Sequence, residues 1–190
     1  MNIVGLLLAA GSASRFGSDK LRHRLPHGVP IAVQSARHLK SQLPRVVVVV
    51  RHADAREAFA AEGCETVVCE NADEGMGSSL ACAARAAGEA DAYIVALADM
   101  PFVRPTTIAA VRDALAGGAA LAAPYFRARR GHPVGFAGRF HQQLISLADD
   151  EGARRIVAAN ESLLLKIPVG DPGVIRDIDR PEDLLPPLRV

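Results

Sequence analysis

IVGLLLAAGSASRFGSDK, residues 3–20, is the stretch on which the fold turns. Its first eight residues are apolar with almost no alternation. That marks a strand covered on both faces, as in a parallel sheet. VVVVV (46–50) and AYIVALA (92–98) have the same character, and ETVVC (65–69) and AALAAPY (119–125) read as further strands. Segments of helical length separate them, at 30–42, 53–62, 77–88 and 105–116. The third carries serines suited to an N-cap and stops at Gly88; the fourth starts on Pro105 and runs out at Gly117-Gly118. Strand alternating with helix predicts a doubly wound α/β sheet.

After residue 125 the rhythm changes. YFRARRGHPVGF (125–136) reads as an irregular loop and a short strand, and 137–159 as helix, in two pieces meeting near Asp149-Asp150. A short strand is expected near 163–167, then the loop DPGVIRDIDRPEDL (171–184). No repeat or linker interrupts the chain, so 1–190 is expected to be a single domain.

The 190 residues are 49% apolar, enough for a sizeable core, and 22 basic against 21 acidic residues leave a net charge of +1. That balance argues against nonspecific nucleic-acid or membrane partners. Cys64, Cys69 and Cys82 have neither disulfide nor zinc spacing and read as reduced, buried thiols. The first apolar run lacks a basic segment ahead of it and is about half a bilayer span, so a cytoplasmic location is expected.

Ligands of doubly wound sheets bind beyond the carboxyl ends of the strands, where residues 10–20 begin. Gly11 and Gly17 allow close backbone approach, Ser12 and Ser14 can donate, and Arg15 and Lys20 are cationic. The spacing fits neither a P-loop nor GxGxxG, which disfavours a nicotinamide-dependent oxidoreductase. Two readings stand: a phosphate-binding loop, or a solvated Gly/Ser turn.

Asp99 follows AYIVALA at the same rim and suits Mg²⁺, or else simply a turn before Pro101. In RDIDRPEDL, alternation directs Asp177 and Asp179 to one side. One of the two reads as a cap for a helix starting at Pro181 and the other as a second metal ligand; the position next to the helix favours Asp179 as the cap and Asp177 as the ligand, with the reverse assignment left open. Asp149-Asp150-Glu151 reads as a solvated helix start. EGMGSSL (74–80) offers Gly75, Ser78 and Ser79 to a ligand, or is an ordinary helix start. In RRGHPVGF, His132 sits beside Arg129 and Arg130, either solvated or against an anionic substrate.

These stretches, in this order, resemble the MobA-like nucleotidyltransferases. LLAAGSASRFGSDK is similar to their LLAAGxSxRxGxxK signature. EGMGSSL, ADMPFV, RRGHPVGF, DEGAR and DPGVIRDIDRPEDL resemble motifs of the molybdenum cofactor cytidylyltransferase branch. Two stretches depart from the pattern. KLRHRLPHG is basic where an apolar stretch is usual, and ADMP stands where GDQP is common.

The resemblance implies a three-layer, Rossmann-like, mostly parallel sheet of the nucleotide-diphospho-sugar transferase type. It implies Mg²⁺-dependent transfer of a nucleoside monophosphate from an NTP to a phosphorylated acceptor, with pyrophosphate released. Gly11, Ser12, Arg15 and Lys20 would hold the triphosphate, Asp99 the metal, and Asp177 would add a second acidic group. Gly75, Ser78 and Ser79 would line a substrate pocket, and His132 would face the acceptor.

Ala9 and Ala10 end the first strand where the base should enter. The guanylyl-transferring relatives have glycine at the position of Ala10, so its methyl group predicts CTP over GTP. The acceptor implied is molybdenum-loaded pterin, with a molybdenum hydroxylase as client. A sugar or polyol phosphate acceptor, and a non-catalytic cofactor carrier, are the other readings.

Overall fold

The computed structural model describes residues 1–11, 20–148, 150 and 152–184, with the side chains of Lys20 and Pro181 excepted. Strand β1 (Ile3–Ala9) lies centrally between two parallel neighbours, β2 (Arg45–Val50) and β4 (Ala92–Leu97). β3 (Glu65–Val68) extends the sheet beyond β2, again parallel. On the other side β4 pairs antiparallel with β7 (Val134–Ala137), which pairs antiparallel with β5 (Leu121–Phe126). β5 also takes the two-residue β6 (Arg129–Arg130), antiparallel, and β8 (Leu164–Pro168), parallel. The expected doubly wound, mostly parallel sheet is therefore present, with β6 and β7 as its antiparallel members.

The valines of β2 show why the strands lack alternation. Val46, Val48 and Val50 pack with Ala32, Ala36 and Leu39 of α1 (Ile31–Lys40), Phe59 of α2 (Arg56–Ala60) and Val111 of α4 (Pro105–Ala116). Val47 and Val49 point the other way. They join Leu80, Ala83 and Ala84 of α3 (Met76–Ala87), Leu144 of α5 (His141–Ile145) and Ile156 of α6 (Arg154–Ala159). Both faces are dry, so both parities must be apolar.

Several local expectations shift. Ser78 and Ser79 lie inside the first turn of α3, whose N-cap position is Gly75 with no side-chain cap; Gly88 closes the helix at φ 69°. Residues 126–133 hold a hairpin, with Arg127 and Ala128 both left-handed (φ 47° and 64°) in a two-residue turn. Such turns ordinarily announce themselves by Asn-Gly, which is why Arg-Ala read as loop. The helical stretch 137–159 is two short helices, α5 and α6, separated by residues 146–153.

The segment 171–179 is tied across the carboxyl rim. Buried Asp171 accepts from Gly173 N (3.0 Å), Arg104 N (2.9 Å) and Thr107 Oγ1 (2.7 Å). It thus caps the short 3₁₀ turn at 172–175 and the start of α4 together. Gly173 lies so close to the next loop that a Cβ there would fall 2.2 Å from the Phe102 carbonyl oxygen. Val174 O accepts from His132 N (2.8 Å), and Ile178 N donates to Asp99 O (2.9 Å).

Candidate active site at the carboxyl rim

β2 and β3 follow β1 to one side of the sheet while β4 lies on the other. The loops after β1 and β4 consequently part, and the crevice between them is the switch point where such sheets take ligands. A cavity of about 410 Å³ opens there. Ala10 and Gly11 line it from β1, Arg51 from β2, Ala72, Asp73, Gly75 and Ser79 from the approach to α3, and Asp99 from β4. Asp150 closes it, near enough to Gly75 that a Cβ on Gly75 would fall 2.1 Å from Asp150 Oδ1. Gly75 also has φ 128°, so both space and backbone demand glycine.

The carboxylates of Asp99, Asp177 and Asp179 each bring an oxygen within 4.8 Å of the others. The backbone builds this cluster. Ala98 N donates to Leu8 O (3.0 Å), and Ala98 O accepts from Ser35 Oγ of α1 (2.9 Å), which holds the end of β4. The Ile178–Asp99 bond lays the tail alongside, with Ile178 fully buried beneath. An extended chain then turns residues 177 and 179 to the same side. Asp179, read from the sequence as a helix cap, is thus also a member of the cluster. In the same turn Asp179 N (3.1 Å) and Arg180 N (2.9 Å) donate to Asp183 Oδ2.

Of the other expected residues, Ser12 and Arg15 lie outside the described residues, as does the Lys20 side chain. Ser78 is buried and donates to Glu74 Oε2 (3.3 Å), away from the cavity lining. Ala9 faces a second cavity of about 860 Å³ on the α1–α2 side, which also touches Gly11 and Arg51. That cavity is larger but none of the three clustered carboxylates lines it.

His132 lies beside a small cavity of about 10 Å³, shared with Ser35, His38 and Leu97. Its Nδ1 is buried without a partner among the described residues. Burial, reinforced by Arg130 and Arg154, pushes its pKa down from the ordinary 6.5 to about 4. The unfolded chain takes up this proton near pH 6.5 and the folded chain resists until about pH 4. The associated stability is therefore complete above pH 6.5 and is lost as pH falls through that window, up to about 3 kcal/mol. Urea midpoints from pH 7 to 4 should fall steeply for the wild type and less steeply for His132→Gln. Equal slopes would show that this imidazole does not govern the acid limb.

Sequence reasoning missed Arg51 and Asp73, and read Asp150, a cavity-lining residue, as part of a solvated helix start. Arg51 directly follows β2, donates Nε–H to Ala10 O (3.2 Å) and pairs with Asp73. VVVVVR, a charge at the end of a buried strand, was the available signal for Arg51. Nothing local distinguishes Asp73, because only folding brings it to β2.

A polar cavity at a switch point, with an acidic cluster at one end, defines a nucleotide-handling α/β protein. The model of the MobA-like NTP transferase domain matches residues 5–163, and the chain belongs to that family, the nucleotidyltransferases. It is 29% identical to the purine catabolism protein PucB of Bacillus subtilis, over 95% of this chain and 93% of that protein. Among solved structures, the manganese complex of Rv0371c from Mycobacterium tuberculosis H37Rv superposes with a TM-score of 0.79. It is 24% identical over 96% of each chain. A CMP:2-keto-3-deoxy-manno-octonic acid synthetase complexed with CTP gives 0.73 at 15% identity, covering 97% and 95%. At these identities the structural likeness speaks for the fold. Among the described residues, no helix is long and apolar enough to cross a membrane.

Proposed function

We propose that this protein transfers CMP from CTP to a phosphorylated acceptor, molybdenum-loaded pterin, with release of pyrophosphate, and that residues 1–190 act as one domain. The carrying observation is the cluster of Asp99, Asp177 and Asp179 at one end of the switch-point cavity. Three carboxylates offer the hard oxygen donors that suit Mg²⁺ or Mn²⁺. The manganese bound by the mycobacterial relative and the CTP bound by the synthetase support this reading. A divalent ion at these carboxylates would offset phosphate charge.

The chain's own contribution is alignment. Asp99 is fixed through its backbone, and Gly11, Gly75 and Ser79 shape the wall on which the nucleotide rests. Arg15 and Lys20 are placed by sequence on the loop leaving β1, where they would stabilise charge on the departing pyrophosphate. A phosphate monoester is already largely ionised near neutral pH, so the attacking oxygen needs little help from a base.

The test is pyrophosphate release with each NTP and Mg²⁺, with and without molybdenum-loaded pterin. Release that requires CTP and this acceptor is expected. Release only with a sugar or polyol phosphate would move the acceptor assignment. Binding of nucleotide and pterin without release in any mixture would identify a carrier.

Ala10 is buried and its side of the turn lines the cavity, so its methyl group bears on the base. Ala10→Gly should lower the kcat/KM ratio of CTP over GTP by roughly tenfold, about 1–3 kcal/mol being what one methyl group decides. A wild type that prefers GTP would overturn the cytidylyl assignment.

A further inference from the structure

We propose that Arg51 and Asp73 form the base-reading edge of the switch-point cavity and make it select cytosine over uracil. This rests on the nucleotidyl-transfer reading above. Strand order sets the direction in which a nucleotide lies. Asp99 follows β4, Ala10 and Gly11 follow β1, Arg51 follows β2, and Asp73 lies in the 3₁₀ turn at 72–74 between β3 and α3. Neighbouring strands are about 4.8 Å apart, so the cavity runs roughly 14 Å from its acidic end to Asp73. Phosphates belong at the Asp99 end, where a divalent ion and the loop leaving β1 would meet them. The base then falls against Arg51 and Asp73.

The pair is poised for a ligand more than for stability. The Asp73 side chain is 81% exposed and that of Arg51 26%, and ion pairs so exposed contribute little to folding. Arg51 is nevertheless held in place, because its Nε–H donates to the carbonyl of buried Ala10. That bond and the one to Asp73 Oδ1 take two of the five guanidinium N–H groups. The guanidinium has further N–H donors to offer, and the Asp73 carboxylate a second acceptor oxygen. Donor next to acceptor is a hydrogen-bond pattern that a base edge can match or violate.

Cytosine matches it. Its N4 amino group donates to a carboxylate, as Asp and Glu accept from cytosine elsewhere. Its N3 and O2 accept from the guanidinium. Uracil violates it at both points, because O4 would face the carboxylate and N3–H the guanidinium. A base lying over the pair would take it out of water, and a wrong base would then leave its polar groups unpaired, which counts against that ligand. Guanine, with two N–H donors beside O6, would satisfy the pair. Its exclusion falls to the Ala10 methyl group, so the two features divide the selection between them.

The experiment is calorimetric binding of CTP and UTP to the full chain with Mg²⁺, alongside pyrophosphate release. Wild type should bind CTP at least tenfold tighter than UTP. In Asp73→Asn the amide can turn its N–H toward O4, so this ratio should fall about tenfold or more, with UTP gaining. Arg51→Lys loses the planar fork and should weaken CTP more than UTP. An unchanged melting temperature in both variants ties the effect to the ligand. A wild type indifferent to C and U, or an Asp73→Asn variant that scales both nucleotides equally, overturns the proposal. Binding needs no turnover. A failure of nucleotidyl transfer therefore shows as absent pyrophosphate with the C/U ratio intact, and a failure of base reading as the reverse.

Discussion

Asp99→Asn should lower pyrophosphate release about 10³-fold at saturating Mg²⁺, while NTP binding weakens by less than tenfold. The substitution keeps size and shape. It also keeps the backbone bond from Ile178 N to Asp99 O, so the tail stays docked and the fold stays intact. What it removes is one of three negative charges that share a space of 4.8 Å. The carboxylate would act through the divalent ion it helps to hold, and a cation set against the reacting phosphates favours the transition state more than the bound ground state, so the loss appears in kcat. Three decades of rate correspond to about 4 kcal/mol of transition-state stabilisation. Near wild-type release by Asp99→Asn would remove the carboxylate cluster from the mechanism.

The second large effect is on stability. Asp171 is 3% exposed and satisfies three donors from two elements. Asp171→Ala leaves Thr107 Oγ1 and the Arg104 and Gly173 N–H groups facing a hole, each buried group costing about 1–3 kcal/mol when unpaired. A destabilisation of about 3 kcal/mol or more is expected, which lowers Tm by roughly 6–12 °C in a chain of this size. Asp171→Asn retains one acceptor oxygen and should fall between the two. Activity should drop with Asp171→Ala even below its Tm, because the freed segment carries Asp177 and Asp179. A Tm within 2 °C of wild type would mean that water replaces the carboxylate at no cost.

How much of this was legible beforehand follows from what is local. β1, β2 and β4 announced themselves because strands buried on both faces must be apolar at every position, and α4 because Pro105 and Gly117 bracket it. Asp99 was placed by the rule that rim residues follow the strand, and Gly75 by its setting before a helix. The hairpin at 127–128 was not legible, since Arg-Ala lacks the usual turn chemistry. Nor was the location of His132, where a loop histidine beside two arginines proved to have a buried ring nitrogen.

The layered α/β sheet, its order of strand and helix, and the rim at which chemistry belongs can all be read along the chain. These depend on apolar periodicity and on caps, which act over a few residues. Which distant groups share that rim emerges only once the chain is folded. Asp179 joins Asp99 across 80 positions through one backbone bond at Ile178, and Asp171 reaches back 67 positions to Arg104. Arg51 and Asp73 meet because β2 and β3 are neighbours and end at the same level. Such contacts are set by strand order and by the path of the final segment, and no short-range pattern along the chain encodes either.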